Sequence, residues 1–172
     1  MMRKNVLLTG KPGTGKTTAI RSIVEQLDPS SVAGFWSKEI REEGRRVGFA
    51  IETLSGKMGT LAHVNLKSGP KVSKYRVNLD DIDSIMVPEL EKARESGRLI
   101  IIDEIAKMEL YSENFTMEVL SCLNTGRVVG TIQLRKHPFL DEVRSRSDVN
   151  LVELTTMNRN QIPLQVLELL NA

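Results

Sequence analysis

Nine residues near the start of the chain, GKPGTGKTT from Gly10 to Thr18, limit its fold more than any other stretch. They follow the apolar run Val6, Leu7, Leu8 and precede Ile20, Ile23, Val24 and Leu27, which recur at helical spacing. A strand, a glycine-rich loop and a helix are therefore expected in that order. Gly10, Gly15, Lys16 and Thr17 fit the spacing G-x-x-x-x-G-K-[ST] of a phosphate-binding loop.

The chemistry explains the residue types. A phosphate is a dense anion that must be held without burying an unpaired charge, and successive backbone N–H groups opening a helix supply the donors. Gly13 and Gly15 free the backbone to take left-handed φ values and to approach the phosphate without a Cβ in between. Lys16 is expected to reach the β- and γ-phosphates, and the Thr17 hydroxyl to ligate Mg²⁺. The nucleotide-binding set thus begins with Gly10, Lys11, Pro12, Gly13, Thr14, Gly15, Lys16, Thr17 and Thr18.

A second stretch supplies what a phosphate-loop enzyme needs next. Leu99, Ile100, Ile101 and Ile102 read as a buried strand, with Asp103 and Glu104 emerging at its carboxyl end, where ligands of such sheets bind. Asp103 is expected to hold the metal opposite Thr17, and Glu104 to orient and polarise an attacking water. These six residues, with Ala106 behind them, join the expected nucleotide-binding set; Lys16 and Glu104 are its catalytic members. A regulatory GTPase would show Asp-x-x-Gly at this strand end and Asn-Lys-x-Asp later, and the sequence has neither. An acid beside the metal acid instead resembles the ATPase branch of phosphate-loop proteins.

Other residues carry weaker expectations. Thr131 and Gln133 stand on the strand after the Asp-Glu strand, where a polar side chain senses the γ-phosphate or is simply structural. Arg159 lies against a base or phosphate, or caps the last helix. Arg76, Arg135 and Arg159 are the cations from which an arginine finger would come. His63 and His137 read as surface residues, and Met86, Met108, Met117 and Trp36 as packing.

The apolar runs alternate between strand and helix patterns, so the fold class is α/β with a mostly parallel sheet flanked by helices. From Val32 to Asn65 the pattern is strand, turn, strand, turn, strand, an antiparallel meander added after the first strand-helix unit. Ser68 to Tyr75 reads as loop, and Leu79 to Glu95 as a helix that Pro88 splits or kinks. A single domain covering 1–172 is expected. Lys and Arg number 24 against 22 Asp and Glu, a net charge of +2 that does not indicate nucleic acid as a partner. Arg41 with Arg45 and Arg46, and Arg135 with Lys136, read as solvated faces. Cys122 is the only cysteine, which fits a reducing compartment. With no signal-like or membrane-length apolar segment in view, a cytoplasmic monomer without membrane contact is the expectation.

With these residues in hand, the chain resembles the small THEP-type nucleoside-triphosphatases, the thermophilic and cancer-related NTPase family. The resemblance rests on Gly10 to Thr18, on Gly34-Phe35 with Gly44 to Phe49, on Lys74 to Leu79, on Asp103 to Leu110, on Gly130 to Ile132 and on Asn158-Arg159. It implies a RecA-like (ASCE-type) P-loop NTPase fold and Mg²⁺-dependent hydrolysis of ATP, GTP and other nucleoside triphosphates. Ala106 and Arg76 stand where the family usually has glycine; Ala106 is tolerable unless its backbone needs positive φ, and Arg76 would alter the loop over the site. Two alternatives stay open: a nucleoside, nucleotide or polynucleotide 5′-hydroxyl kinase, with an acceptor pocket in the meander, and a nucleotide-binding switch with incidental hydrolysis.

Overall fold

The computed structural model describes residues 5–171. Its strands are β1 (Asn5–Thr9), β2 (Val32–Glu42), β3 (Arg45–Thr53), β4 (Met58–His63), β5 (Lys71–Val72), β6 (Tyr75–Val77), β7 (Leu99–Ile105), β8 (Val128–Ile132) and β9 (Val149–Glu153). Its helices are α1 (Lys16–Glu25), α2 (Leu79–Asp81), α3 (Val87–Glu95), α4 (Glu113–Asn124), α5 (Pro138–Arg144) and α6 (Ile162–Asn171).

All nine strands form one sheet in the order β5-β6-β4-β3-β2-β7-β8-β1-β9. The half from β2 to β9 is parallel and the half from β3 to β5 is antiparallel, as the alternating patterns and the meander lead one to expect. β8 lies between β1, which carries the phosphate loop, and β7, which carries Asp103 and Glu104. The two functional strand ends are therefore one strand apart, with Thr131 of β8 between them.

Period-two alternation divides the core. Val6 and Leu8 face α1 and α6, packing with Ile20, Ile23, Ile162 and Val166. Leu7, Ile100 and Ile102 face α3, α4 and α5, packing with Leu90, Phe115, Val119, Leu140 and Val143. Each such fully buried aliphatic side chain stabilises the fold by ~1.5–3 kcal/mol. Asn5 is buried at the foot of β1, where its amide donates to Leu123 O at 2.9 Å and accepts from Val128 N at 3.0 Å. Those bonds tie β1, β8 and the end of α4 together.

Three local features differ from the sequence patterns. The stretch from Ser68 to Tyr75 holds β5 and the start of β6, a two-residue pairing too short to leave a periodic signal. The segment from Leu79 to Glu95 stays helical through Pro88, which falls in the first turn of α3 directly after a π turn at Ile82–Met86, so its missing N–H lies where the hydrogen-bond pattern changes. Met117, expected to pack, is 67% exposed and belongs to neither hydrophobic core. Among the described residues no helix is long and apolar enough to cross a membrane.

The longest strand shapes the site. β2 pairs with β7 only from Val32 opposite Leu99 to Trp36 opposite Asp103. Beyond that point β2 continues with β3 alone, to a tight turn at Glu43 and Gly44. The hairpin so formed is a wall beside the end of β7.

Candidate active site

The loop after β1 closes on itself before the helix begins. Thr14 bonds back to the Lys11 carbonyl through its amide at 3.3 Å and its hydroxyl at 2.9 Å. Gly13 and Gly15 have φ of 79° and 96°, left-handed values that a side chain disfavours, as the glycine spacing implies. Gly15 is the N-cap of α1; no side chain caps the helix, and its first turn carries no acid. The amides at the start of α1 thus have no internal acceptor, and the positive end of the helix dipole is not neutralised. This is the arrangement that accepts a phosphate.

Lys16 Nζ donates to the Gly10 carbonyl at 3.0 Å and to Glu104 Oε2 at 3.2 Å. The lysine from the loop and the acid from the end of β7, 88 positions apart, therefore meet directly. Asp103 lies deeper, 2% exposed. Its Oδ1 accepts from the Thr131 hydroxyl at 2.7 Å, while its Oδ2 is buried without a partner. Burial pushes this carboxyl up to about 6, with the hydroxyls of Thr131 and Thr17 pulling the other way. A buried carboxylate oxygen with no donor, beside a threonine hydroxyl, fits a hard cation such as Mg²⁺. No group of three or more His, Cys, Asp or Glu able to hold a metal occurs among the described residues, so an ion here would rely on Thr17, Asp103 and phosphate oxygens.

These groups line a cleft of about 750 Å³. One side is the loop from Gly10 to Thr18, and the floor is Asp103 and Glu104. The opposite side is the hairpin, through Ser37, Lys38, Glu39, Arg46 and Phe49, and the rim is Gln133, Leu134 and Arg135. A separate cleft of about 370 Å³ opens across α1, between Gly15, Thr18 and Ser22 on one side and Arg159 and Asn160 on the other. A third groove, of about 630 Å³, lies at the amino ends of β2 and β7 around Lys57, Glu89 and Lys92, away from the loop.

Several expectations change here. Thr131 is wholly buried, donates its hydroxyl to Asp103 and does not line the cleft, so it supports that carboxylate and is not placed as a phosphate sensor. Ile100, Ile101 and Ile102 are wholly buried, and with Leu99 they pack between the helical layers; none lines a cleft. They carry Asp103 and Glu104 to the cleft without lining it themselves. Arg76 sits on β6 with its guanidinium on the Gly69 carbonyl at 3.0 Å and does not line the cleft. Ala106 has no positive φ and is buried, so no glycine is needed there. Gln133 does line the cleft, with its side-chain carbonyl accepting from Lys107 N at 3.1 Å.

Two groups lay outside sequence reasoning. The hairpin residues reach the site only because β2 outruns β7, which no local pattern signals; the arginines there read as solvent-facing, yet Arg46 bonds Tyr75 and Glu39 and lines the cleft. Glu109 is 2% exposed with one carboxylate oxygen unpartnered, and burial, then the neighbouring Glu104, raises its carboxyl well above the usual range. The signal in the sequence is an acid five positions after Glu104, in the stretch Ile105-Ala-Lys-Met-Glu109.

Comparison with known proteins agrees with this geometry. The model of a family described as NTPase matches residues 5–167. The nucleoside-triphosphatase THEP1 of Thermotoga sp. (strain RQ2) is 43% identical over 166 residues, which cover 96% of this chain and 94% of the relative. The human cancer-related nucleoside-triphosphatase is 40% identical, over 94% of this chain and 93% of that protein. The crystal structure of THEP1 from the hyperthermophile Aquifex aeolicus superposes with a TM-score of 0.90 at 37% identity, covering 98% of this chain and 99% of that one. With a phosphate-loop fold of this order and a match along nearly its whole length, the chain belongs to this NTPase family.

Proposed function

We propose that this chain is a Mg²⁺-dependent nucleoside-triphosphatase that hydrolyses ATP, GTP and other nucleoside triphosphates to the diphosphate and phosphate. The observation that supports this reading most directly is Glu104, paired with Lys16 at 3.2 Å and one residue beyond the buried Asp103. A loop that only bound phosphate would have no use for an acid at that place.

In this reading the amides from Gly13 to Thr18 and the Lys16 ammonium hold the β- and γ-phosphates. Thr17 and Asp103 would hold Mg²⁺, which when bound draws charge from the phosphate oxygens. Glu104 orients a water in line with the γ-phosphorus and takes its proton. The water oxygen bonds to that phosphorus as the bond to the bridging β–γ oxygen breaks, and the electron pair leaves with the diphosphate. Thr131 keeps Asp103 aimed at the metal position. Arg159 would lie against the base in the smaller cleft. The chain would act as one cytoplasmic domain and as a monomer.

Phosphate release from several nucleoside triphosphates, with Mg²⁺ and without any organic acceptor, tests the reading. Release is expected with each base and is abolished by Lys16→Ala. A second reading has one observation in its favour: the wall of Ser37, Lys38, Arg46 and Phe49 leaves room for an organic acceptor beside Glu104. Label that moved to an added nucleoside or 5′-hydroxyl, with no release in its absence, would replace hydrolysis by transfer.

A further inference from the structure

The charge that builds on a transferring phosphoryl group needs more than one fixed cation. Lys16 is only partly available, since two of its three N–H donors are engaged by Gly10 and Glu104. Mg²⁺ would be held by Thr17 and Asp103. The rim of the cleft at Gln133, Leu134 and Arg135 carries a charge with no role yet assigned to it.

Most other cations lining the cleft are committed. The Arg21 guanidinium lies over the Trp36 ring at 4.4 Å. Arg46 donates to the Tyr75 hydroxyl at 3.0 Å and to Glu39 at 3.2 Å. Arg159 stands beside Gly15 across α1, its Cδ 3.7 Å from where a Cβ on that glycine would be. That is the smaller cleft, where the proposed reading puts the base. Arg76 lies outside the cleft.

Lys38 lines the cleft and is also unpaired among the described residues, but it carries a single ammonium, and the unpaired Arg159 lines the smaller cleft; Arg135 is the arginine of the main cleft held by neither a ring nor an acid. Its side chain makes no hydrogen bond or ion pair among the described residues, and it lines the cleft with Lys16 and Glu104. Its backbone, by contrast, is tied down. The Gln133 amide donates to Ile105 O at 3.0 Å, and the Gln133 side chain accepts from Lys107 N. Arg144 of α5 donates to the Gln133 carbonyl with one nitrogen and to the Arg135 carbonyl at 2.9 Å with another. An anchored main chain carrying a free guanidinium at the open side of the site is what a charge that engages late in the reaction requires. The fork of donors suits two phosphate oxygens at once.

We infer that Arg135 is the arginine finger of this enzyme, supplied by the chain itself, and that it stabilises the charge on the γ-phosphate as the bond to the diphosphate breaks. Arg144 positions it by holding the carbonyls on either side of Leu134. The inference rests on the hydrolysis reading above.

The test compares steady-state hydrolysis of ATP by the full chain and by Arg135→Ala, with Mg·ADP affinity measured on both. Removing the guanidinium is expected to lower kcat on the order of a hundredfold, as for loss of one transition-state donor, with Mg·ADP affinity changed less than threefold. The wild-type chain is also expected to trap Mg·ADP with aluminium fluoride, a mimic of the transferring group, and Arg135→Ala to fail to do so. A kcat within threefold of wild type overturns the assignment. So does an equal loss of kcat and of Mg·ADP affinity, or a loss on Lys38→Ala in place of Arg135→Ala. Arg135 is exposed, so its replacement leaves the core intact, and Arg135→Gln repeats the test with a polar side chain. Absence of turnover in the wild-type chain would instead sink the hydrolysis reading, and so the two failures are distinguishable.

Discussion

The hydroxyl of Thr131, on the strand between the two functional strand ends, donates to the carboxylate of Asp103 at 2.7 Å, with both side chains buried. This bond takes one carboxylate oxygen out of play and leaves the other facing the position proposed for Mg²⁺. Thr131→Val keeps the shape and removes the donor, so Asp103 is left with two unpaired oxygens. Activity or metal affinity is expected to fall by about 10- to 100-fold, the usual effect of losing such a supporting bond. The concentration of Mg²⁺ at half activity should rise, and Thr131→Ser should restore it. Equal Mg²⁺ dependence in Thr131→Val and wild type would show that the bond does not position the acid.

Gly130, the neighbour of Thr131, allows the close approach of β8 and β7. A Cβ added there would lie 2.2 Å from the Ile102 carbonyl oxygen, a backbone atom that cannot rotate away. Gly130→Ala should therefore spread the strands that carry Thr131 and Asp103, at a stability cost of about 1–3 kcal/mol, the range for overpacking. Urea unfolding measures it, and an unchanged midpoint would mean that the sheet absorbs the methyl group.

Burial raises the carboxyl of Glu109 well above its usual range. A raised value means that the folded chain holds this proton where the unfolded chain, with a glutamate value near ~4.3, has lost it. The contribution to stability is then present below about pH 4.3 and is lost as pH rises through the folded value. Glu109→Gln, which has no proton to lose, should be relatively more stable at pH 8 than at pH 5 when each is compared with wild type by urea unfolding. The same difference at both pH values would contradict a buried neutral acid.

Much of this was legible in the sequence because the features were local. The loop from Gly10 to Thr18 has a fixed spacing, and the strand ending at Asp103 is an uninterrupted apolar run followed by two acids. What was not legible depended on relations across the sheet. Thr131 looked able to sense a phosphate, because its strand position was visible while its register against Leu8 and the bond to Asp103 were not. Leu99 to Ile102 were counted with the nucleotide site by adjacency, whereas the parallel sheet buries them on both faces. The hairpin wall depended on how far β2 outruns β7, a length mismatch that no residue type encodes. Arg76 and Arg135 were equal candidates until the topology put one four strands from β7 and the other on the rim of the cleft.

The central claim is that Glu104 activates water while the loop holds the triphosphate and Asp103 its metal. Single-turnover phosphate release with Mg·ATP, measured on wild type and on Glu104→Gln, tests it most directly. The account predicts that Glu104→Gln binds Mg·ATP with affinity within threefold of wild type but releases phosphate slower by about 10²–10⁴-fold, the range for losing a positioned general base. Release at the wild-type rate from Glu104→Gln would contradict it.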